Sequence, residues 1–484
     1  MNVTISTYHI FYPYFFYERQ VLHLFKKFTN ACVKLVTRWL PDPFIFAIIL
    51  TIVAFLAAMP LTGQGPIEMV KHWGNGVWSL LGFSMQMVLV LVLGTAFATA
   101  PAIKNALTSL ARIPKNPTQA IIIVTVVSTV CCWLNWGFGL VVGAIFAKEI
   151  AKRRTDTDYR LLIASAYSGF VVWHAGMSGS IPLDVATVTE AMTLKTGGVV
   201  TEAISTSETI FSAWNLLVCL AILILMPIVN AKMHPDPGDV ISIDPALLVD
   251  DDEDFDAAGQ GAANSPAEKM ERSKILTFII FALAFAYSLH YFIIDKGALS
   301  LDSVNMIFLW LGIIFHKTPI RYVNAISSAA KGAAGIILQF PFYAGIMGLM
   351  TGASAVTGLS LAGVISMWFV AISNNVTFPL LAFLSAGIVN FFVPSGGGQW
   401  AVQGPIIMPA GLELGVSPAV SAMGIAWGDA WTNLLQPFWA LPALGIAKLS
   451  ARDIMGFCLI DLILTGIIIC VGFILVGVLG ISAV

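Results

Sequence analysis

The chain has 484 residues, of which 58% are hydrophobic and only 11% are charged, and its formal net charge is −2. Its mean hydropathy is +0.86. A soluble protein of this length carries a larger charged fraction, about a quarter of its residues. This composition excludes an ordinary soluble enzyme, and the charge balance gives no reason to expect nucleic-acid binding. It predicts an all-α polytopic membrane protein embedded in a lipid bilayer.

Hydrophobic runs and polar breaks divide the chain into four parts. Residues 1–40 mix aromatic and basic side chains and predict an N-terminal interfacial segment. Residues 41–231 predict a first transmembrane repeat, 232–273 an acidic cytoplasmic linker, and 274–484 a second transmembrane repeat with its core from about 303. About 10–12 membrane segments are expected, since a span needs about 20 mostly apolar residues. Apolar runs lie near 44–61, 77–100, 118–147, 161–182, 209–231, 274–294, 303–316, 333–352, 361–394, 400–448 and 454–482.

Two stretches about 255 residues apart resemble one another in order and spacing. A duplicated membrane fold places its working site between the two copies. The repeat therefore predicts where the functional residues meet before any motif is considered. The matching pairs are Pro66 with Pro319, Ile67 with Ile320, Val70 with Val323, Gly82 with Gly335, Gln86 with Gln339, Ala166 with Ala426, and Pro182 with Pro442.

The basic residues predict the orientation of the two copies, because cytoplasmic loops carry an excess of Lys and Arg. The N-terminal side and the cluster at 148–160 are expected in the cytoplasm, and the loop at 183–208 outside. Each corresponding loop of the second copy has the opposite content of Lys and Arg. This predicts inverted repeats with a cytoplasmic N-terminus and an external C-terminus. Lys71 lies in a loop expected outside, whereas Lys317, Arg321, Lys331, Lys448 and Arg452 are expected in the cytoplasm.

Four hydrophobic segments are interrupted by small or polar residues, at 135–139 and 174–180 in the first copy and at 390–400 and 431–437 in the second. Backbone that leaves the helix at membrane depth is tolerated only where it faces a cavity, an ion or a substrate. Half-helix N-termini present N–H groups to an anion, whereas unwound carbonyls with Ser, Thr or Asn oxygens suit sodium. The predicted substrate-binding residues are Asn135, Gly137, Gly139, Ser178, Ser180, Ser395, Gly396, Gly397, Gly398, Gln399, Asn433 and Gln436.

Asp429 is the one acid expected inside a span between Lys331 and Lys448. A charge there costs at least about 2.5–3.5 kcal/mol, so Asp429 is predicted to bind the coupling ion or to exchange a proton. A hydrogen-bonded structural carboxyl is the alternative. Asn135 and Asn390 are further candidates for the coupling ion, which is either Na⁺ or H⁺. A sodium site is possible without identified ligands, and no other cofactor is expected.

His174 could carry a proton at neutral pH, but a lone histidine near the end of an apolar segment is more often structural. The sequence contains no HExxH, Walker A or GxSxG motif, and the triple glycine at 396–398 lacks the Lys and Ser/Thr of a phosphate loop. The chain is therefore predicted not to be an enzyme.

Five motifs from about residue 34 onward have a recognisable pattern: Arg38–Pro43, Asn135–Ala144, Gln339–Ile346, Pro394–Gly398 and Gln436–Pro442. In them the chain resembles the bacterial short-chain fatty acid transporter family, within a wider superfamily of sodium-coupled carboxylate carriers and arsenite-type exporters. The resemblance implies paired re-entrant hairpins, broken helices, homodimers and elevator-like movement in the bacterial inner membrane. It implies secondary transport of small monocarboxylates such as butyrate or acetoacetate; the alternative is a cation/proton antiporter or an exporter of another small anion.

Overall fold

The computed structural model confirms the all-α class: the regular structure of the described residues is helical, with no β-strand among them. The acidic run at 250–254 and the predicted site residue Ser395 lie outside the described residues. The described residues are 6–39, 42–187, 190–244, 248, 265–297, 301–394 and 396–481.

Four helices of the first half begin with proline, which loses no hydrogen bond at the first helical position, and two of these also have a side-chain cap. The Asn116 side chain accepts from the backbone N–H of Gln119 at 2.9 Å. The helices are α1 Ser6–Trp39, α2 Pro43–Thr62, α3 Pro66–Gly76, α4 Leu81–Thr99, α5 Pro101–Leu110, α6 Pro117–Leu134, α7 Trp136–Ala151, α8 Tyr159–Ser168, α9 Ser180–Val185, α10 Glu190–Lys195 and α11 Ala213–Lys232, and a 3₁₀ segment, Gly169–Ala175, follows α8.

The same capping pattern starts helices of the second half. Ser417 precedes Pro418 and its hydroxyl accepts from the N–H of Val420 at 3.3 Å. The helices are α12 Pro266–Glu271, α13 Lys274–Leu289, α14 Leu301–His316, α15 Pro319–Ala330, α16 Ala334–Thr351, α17 Leu361–Ala371, α18 Phe378–Asn390, α19 Gly396–Glu413, α20 Pro418–Thr432, α21 Pro437–Ala447 and α22 Ala451–Val478, with a π turn at His290–Ile294 and a 3₁₀ turn at Lys331–Ala333.

Seven helical stretches in the described part of the chain are long and apolar enough to cross a membrane, or eight if a pair bent by 81° counts as one span. The predicted total of about 10–12 segments exceeds this number because several segments are broken into helices too short for a full crossing. The seven are Phe44–Thr62, Pro117–Leu134, Tyr159–Val185, Ala213–Lys232, Lys274–Ile294, Pro319–Thr351 and Ala451–Val478, and the shorter apolar helices are Asn305–His316, Leu361–Ala371, Phe378–Asn390 and Pro437–Ala447.

The two halves repeat the same order of elements: a helical hairpin, a broken helix and a long helix. In the first half these are α6–α7, α8–α9 and α11; in the second they are α18–α19, α20–α21 and α22. Gly139 packs against Cys132 and Gly143 against Ser128, so α6 and α7 run antiparallel from a tip at Asn135. This order agrees with a duplication, whereas the inversion of the second copy in the membrane stays a prediction.

The hairpins and broken helices of both halves form the centre of the molecule. Helix α7 packs against α21, and the 3₁₀ segment after α8 packs against α20. Helices α2, α3 and α4 pack against α16 at the side, and α14 and α15 pack against α4. The fold therefore brings the interrupted segments of the two halves together at their broken ends.

Candidate functional site

All four interrupted segments meet at one place. The rings of Trp136, at the start of α7, and Trp439, in the first turn of α21, lie 5.1 Å apart. A Cβ atom on Gly396, at the start of α19, would lie 2.5 Å from the hydroxyl oxygen of Ser180, at the start of α9. Both halves therefore contribute helix starts to one site, as the repeat predicts.

The tip of the first hairpin is held by side chains that cap the backbone. Asn135 is extended, and its Oδ1 accepts from the N–H of Phe138 at 3.0 Å. The N–H of Trp136 donates to Ser178 Oγ at 3.0 Å, so the segment after the 3₁₀ turn docks onto this tip. Gly137 and Gly139 lie buried in the first turns of α7. Asn135 and Ser178 thus shape the site by fixing the start of α7.

His174 uses both ring nitrogens, one toward its own half and one toward the second half. Nδ1 lies 2.8 Å from Asp429 Oδ2, and Nε2 lies 2.9 Å from Ser180 Oγ and 3.0 Å from the N–H of Ile181. A backbone amide can only donate, so Nε2 is the acceptor and Nδ1 carries the proton. His174 is therefore assigned as the neutral tautomer that donates to Asp429. Both side chains are fully buried.

The second oxygen of Asp429 has no such partner. The Asn433 side chain interacts with this carboxyl group, but no donor of the described residues lies in hydrogen-bonding geometry to Oδ1. Burying an ionised carboxylate oxygen without a partner costs about 1–3 kcal/mol or more. Oδ1 is therefore the atom of this site best placed to accept a proton or contact a cation.

Asn390, at the end of α18, ties the second hairpin to the end of α20. Its Nδ2 lies 2.8 Å from the carbonyl oxygen of Asp429, 2.9 Å from Thr432 Oγ1 and 2.8 Å from Asn433 Oδ1. Its Oδ1 is buried and has no hydrogen-bond partner in the described part of the chain. No group of three or more His, Cys, Asp and Glu side chains gathers among the described residues. A sodium ion here would therefore depend on amide and carbonyl oxygens besides the carboxylate of Asp429.

The glycines at the start of α19 differ in their surroundings. Gly396 is buried against Ser180 and His174, and a Cβ atom there would lie 2.7 Å from Cε1 of the imidazole. Gly397 is exposed, with nothing within 4 Å of a Cβ atom, and Gly398 is half-buried. The first N–H groups of a helix have no intrahelical acceptors and attract anions. The start of α19 is thus open on the side of Gly397 and closely packed at Gly396.

Two predicted binding residues make internal hydrogen bonds. Gln399 Nε2 donates to the carbonyl oxygen of Ala386 at 2.8 Å and to Gln403 Oε1 at 2.7 Å, which braces the second hairpin. Gln436 Oε1 accepts from the N–H of Phe438 at 3.0 Å and caps α21. The carbonyl oxygen of Asn433 accepts from the Tyr167 hydroxyl at 2.6 Å. These hydrogen bonds hold the broken helices in place.

An aromatic wall borders the site. The Trp173 ring stacks on His174 with centroids 4.0 Å apart and packs against Trp439 at 5.6 Å. The rings of this wall are almost fully buried and pack against one another beside the helix starts, where they form an apolar environment. The wall consists of Trp136, Phe170, Trp173, Phe438 and Trp439.

The sequence analysis gave too little weight to His174. It also missed a second acid that, like Asp429, is buried within an apolar helix. Asp461, on α22, is fully buried. With the Asn230 amide oriented to donate to it, Nδ2 lies 2.6 Å from Asp461 Oδ1 and Oδ1 of Asn230 lies 3.1 Å from Ser168 Oγ. A single acid in a long apolar run is the signal that identified Asp429, and it was present at Asp461 too.

Broken helices whose starts and buried carboxyl meet inside an apolar helical bundle are typical of membrane transporters. A family model described as short chain fatty acid transporter matches residues 24–476. A protein of Escherichia coli (strain K12), provisionally named a short-chain fatty acid transporter, is 45% identical over 92% of this chain and 98% of its own length. One of Haemophilus influenzae with the same name is 45% identical over 90% and 96%. The chain belongs to the short-chain fatty acid transporter family.

Among solved structures, the chain is similar to the YdaH transporter of Alcanivorax borkumensis, described as having an unusual topology. The identity is 16%, the TM-score is 0.45, and the match covers 91% of this chain and 99% of that one. The family assignment confirms the resemblance found in the sequence, and with the apolar helices it supports a multi-pass bacterial membrane protein that transports a small organic substrate.

Proposed function

We propose that the protein is a secondary active transporter that moves small monocarboxylates such as butyrate or acetoacetate across the bacterial cytoplasmic membrane. The observation that carries this proposal is the meeting of the starts of α7, α19 and α21 beside an aromatic wall. Helix starts stabilise a carboxylate, and the wall accepts its short chain. A small carboxylic acid resembles Glu, with a pKa of about 4.3, and is ionised at neutral pH.

Chain-length selectivity follows from the apolar half of the site. Each buried CH₂ group contributes about 0.8 kcal/mol, which is about a fourfold change in affinity. Selectivity between acetate, propionate and butyrate should therefore be graded. A steep rejection of one homologue would need a polar or steric contact beyond this wall.

The ion-coupling part of the proposal rests on the His174–Asp429 pair. Nε2 of His174 accepts from the N–H of Ile181, and Asp429 Oδ1 has no donor among the described residues, so Oδ1 is the open position for a further proton. Protonation or a bound sodium ion removes the negative charge of Asp429. A substrate anion near Gly396 and His174 is then no longer repelled. Cation and anion consequently bind together. We favour H⁺ as the coupling ion, because His174 is neutral in this arrangement and one carboxyl oxygen of Asp429 has no donor.

The transport cycle in this proposal is elevator-like, with alternating access and a homodimer as the working unit. Its support is the duplicated order of elements around one central site. In such a cycle α6–α9 and α18–α21 move together, because His174 and Asp429 join the two halves.

Uptake of labelled butyrate by proteoliposomes containing the purified protein tests this function. Uptake should saturate with butyrate concentration and should be inhibited by unlabelled propionate. Protein-free liposomes are the essential control, because the neutral acid crosses lipid unaided. Uptake that never exceeds this control, with or without ion gradients, would reject the proposal.

A second candidate, a cation/proton antiporter, is favoured by one observation: His174 and Asp429 form a fully buried hydrogen-bonded pair of groups that can each carry a proton. Sodium–proton exchange measured in the absence of every organic anion discriminates between the two. Exchange at rates comparable with butyrate uptake would favour the antiporter.

A further inference from the structure

A cavity of about 320 Å³ lies at the opposite end of α7 and α21 from the site. Lys148 lines it twelve positions after Trp136, which corresponds to about 18 Å along the helix. The C-terminal end of α21 lines it as well, together with residues of α4, α15 and the 3₁₀ turn after α15. The cavity is thus separate from the helix starts and lies between the two halves, where ligand sites commonly form.

Three lysines and one glutamate are the charged residues that line this cavity in the described part of the chain. Lys148 is buried, whereas Lys331 and Lys448 are exposed at the mouth. Glu149 is already engaged, since its Oε1 lies 2.5 Å from Lys152 Nζ and its Oε2 accepts from Thr108 at 3.0 Å. By formal charge, three lysines against one glutamate, the lining is net positive and attracts small anions.

The rest of the lining is largely apolar. Leu91 on α4, Ile145 on α7 and Ile446 on α21 face the same space as the lysines. An inorganic anion gains nothing from such a wall, whereas a short aliphatic chain is stabilised by about 0.8 kcal/mol for each CH₂ it buries. The combination matches a carboxylate with a short hydrocarbon tail.

Lys448 occupies a backbone conformation that disfavours its own side chain. It ends α21 with φ 54°, in the left-handed region where glycine is the usual residue. A side chain there costs on the order of 1 kcal/mol relative to glycine. Lysine at this point places a positive charge at the C-terminal end of α21, which the helix dipole favours, and at the lining of the cavity.

We propose that this cavity is a carboxylate vestibule on the cytoplasmic side. In it a short monocarboxylate binds through its carboxylate to Lys148, Lys331 and Lys448 and through its chain to the apolar wall. The vestibule concentrates substrate anions near the moving helices and increases the rate at which they reach the central site from the cytoplasm. The identity of the anion rests on the proposed function.

Lysine footprinting on the purified full-length protein tests the vestibule. The protein is acetylated with an amine-reactive ester in sodium butyrate or in sodium chloride of equal ionic strength, and mass spectrometry gives the rate at each lysine. Butyrate should slow acetylation of Lys331 and Lys448 several-fold. Lys317, exposed and outside the cavity lining, should react at the same rate in both salts. Equal rates in butyrate and chloride at Lys331 and Lys448 would overturn the proposal.

A matched pair of variants separates charge from backbone effects. Lys448→Gly and Lys317→Gly each remove one positive charge at a left-handed position, with φ 54° and 68°. Lys448→Gly should reduce the protection of Lys331 by butyrate about threefold or more, with no loss of thermal stability. Lys317→Gly should leave this protection intact. Unchanged protection in Lys448→Gly, or an equal loss in both variants, would contradict the vestibule.

Failure of the vestibule and failure of the transport proposal give different results. Saturable butyrate uptake without protection of Lys331 and Lys448 removes the vestibule and leaves the transporter. Protection by butyrate without saturable uptake removes the transport proposal and leaves an anion site.

Discussion

His174 and Asp429 contact each other although 255 positions separate them. Local sequence could identify Asp429, because an acid inside an apolar run is costly unless it has a function or a partner. It could not identify His174, whose role depends on contacts with Asp429, Ser180 and Ile181 that only the fold creates. Asp461 is also an acid within an apolar run, so the same pattern predicts a buried carboxyl there.

Substitutions of His174 test which ring nitrogen matters. Asn places its amide near the position of Nδ1 and can still donate to Asp429, whereas Gln reaches the position of Nε2 and serves Ile181. If the donor to Asp429 sustains transport, His174→Asn should retain clearly more butyrate uptake than His174→Gln. Initial uptake rates at equal protein content in proteoliposomes measure this. The reverse order would mean that the contact with α9 is the one that transport needs.

Gly396 and Gly397 form a matched pair for the anion-binding end of α19. A methyl group at Gly396 would lie 2.5 Å from Ser180 Oγ and 2.7 Å from His174 Cε1, so the imidazole must shift. Overpacking of this kind costs about 1–3 kcal/mol, and the displaced geometry should lower butyrate uptake about tenfold or more in Gly396→Ala. Gly397→Ala meets nothing within 4 Å and should be much less affected. Similar losses in both variants would argue against this packing.

At the scale of elements, the breaks were predictable and their partners were not. The structure confirms helix interruptions at Asn135, 176–179 and 433–436, because Gly, Asn and Pro within apolar runs end helices whatever lies around them. The internal roles of Gln399 and Gln436 were not predictable, because an amide in an apolar segment can face a substrate or brace a neighbouring helix. The expected 10–12 membrane segments comprise seven or eight full-length helices and several shorter apolar ones, a division that apolar run length does not reveal because it does not show where a helix ends.

His234 makes the start of α8 sensitive to pH. Burial lowers the pKa of His234 below its usual 6.5, and Nε2 accepts from the N–H of Asp158 at 3.2 Å. Below pH 6.5 the unfolded chain binds a proton that the folded protein disfavours, so stability falls as pH decreases. Because Gln keeps an acceptor without titrating, His234→Gln should show a smaller drop in Tm between pH 7.5 and 5.5 than the wild type. Thermal unfolding in detergent measures both values, and equal drops would exclude His234 as the cause.

At the scale of the whole molecule, duplication was visible in the spacing of a few Pro, Gly and Ala residues, and the same order of elements appears in both halves. The sequence could also predict a site between the copies, where the helix starts meet. It could not predict the vestibule lysines as a group, because Lys148, Lys331 and Lys448 come together only when α7 and α21 pack side by side.

Inversion of the second copy predicts opposite accessibility for two equivalent loops. Lys71 lies in α3 and Lys317 immediately before α15, and both are exposed. Single cysteines at these positions, in a background without the native cysteines, should react with a membrane-impermeant maleimide from opposite sides. Lys71→Cys should label in intact cells and Lys317→Cys only in inverted vesicles. Labelling of both from the same side would rule out inverted repeats.

The central claim is that the buried pair of His174 and Asp429 couples the movement of a small monocarboxylate to a cation. Butyrate uptake into proteoliposomes under separately imposed pH and sodium gradients tests it most directly, with wild-type protein and Asp429→Asn compared. An inward proton gradient should drive butyrate accumulation by the wild type, beyond that in protein-free liposomes, whereas Asp429→Asn should only equilibrate the substrate. Gradient-driven accumulation that persists in Asp429→Asn would contradict the account.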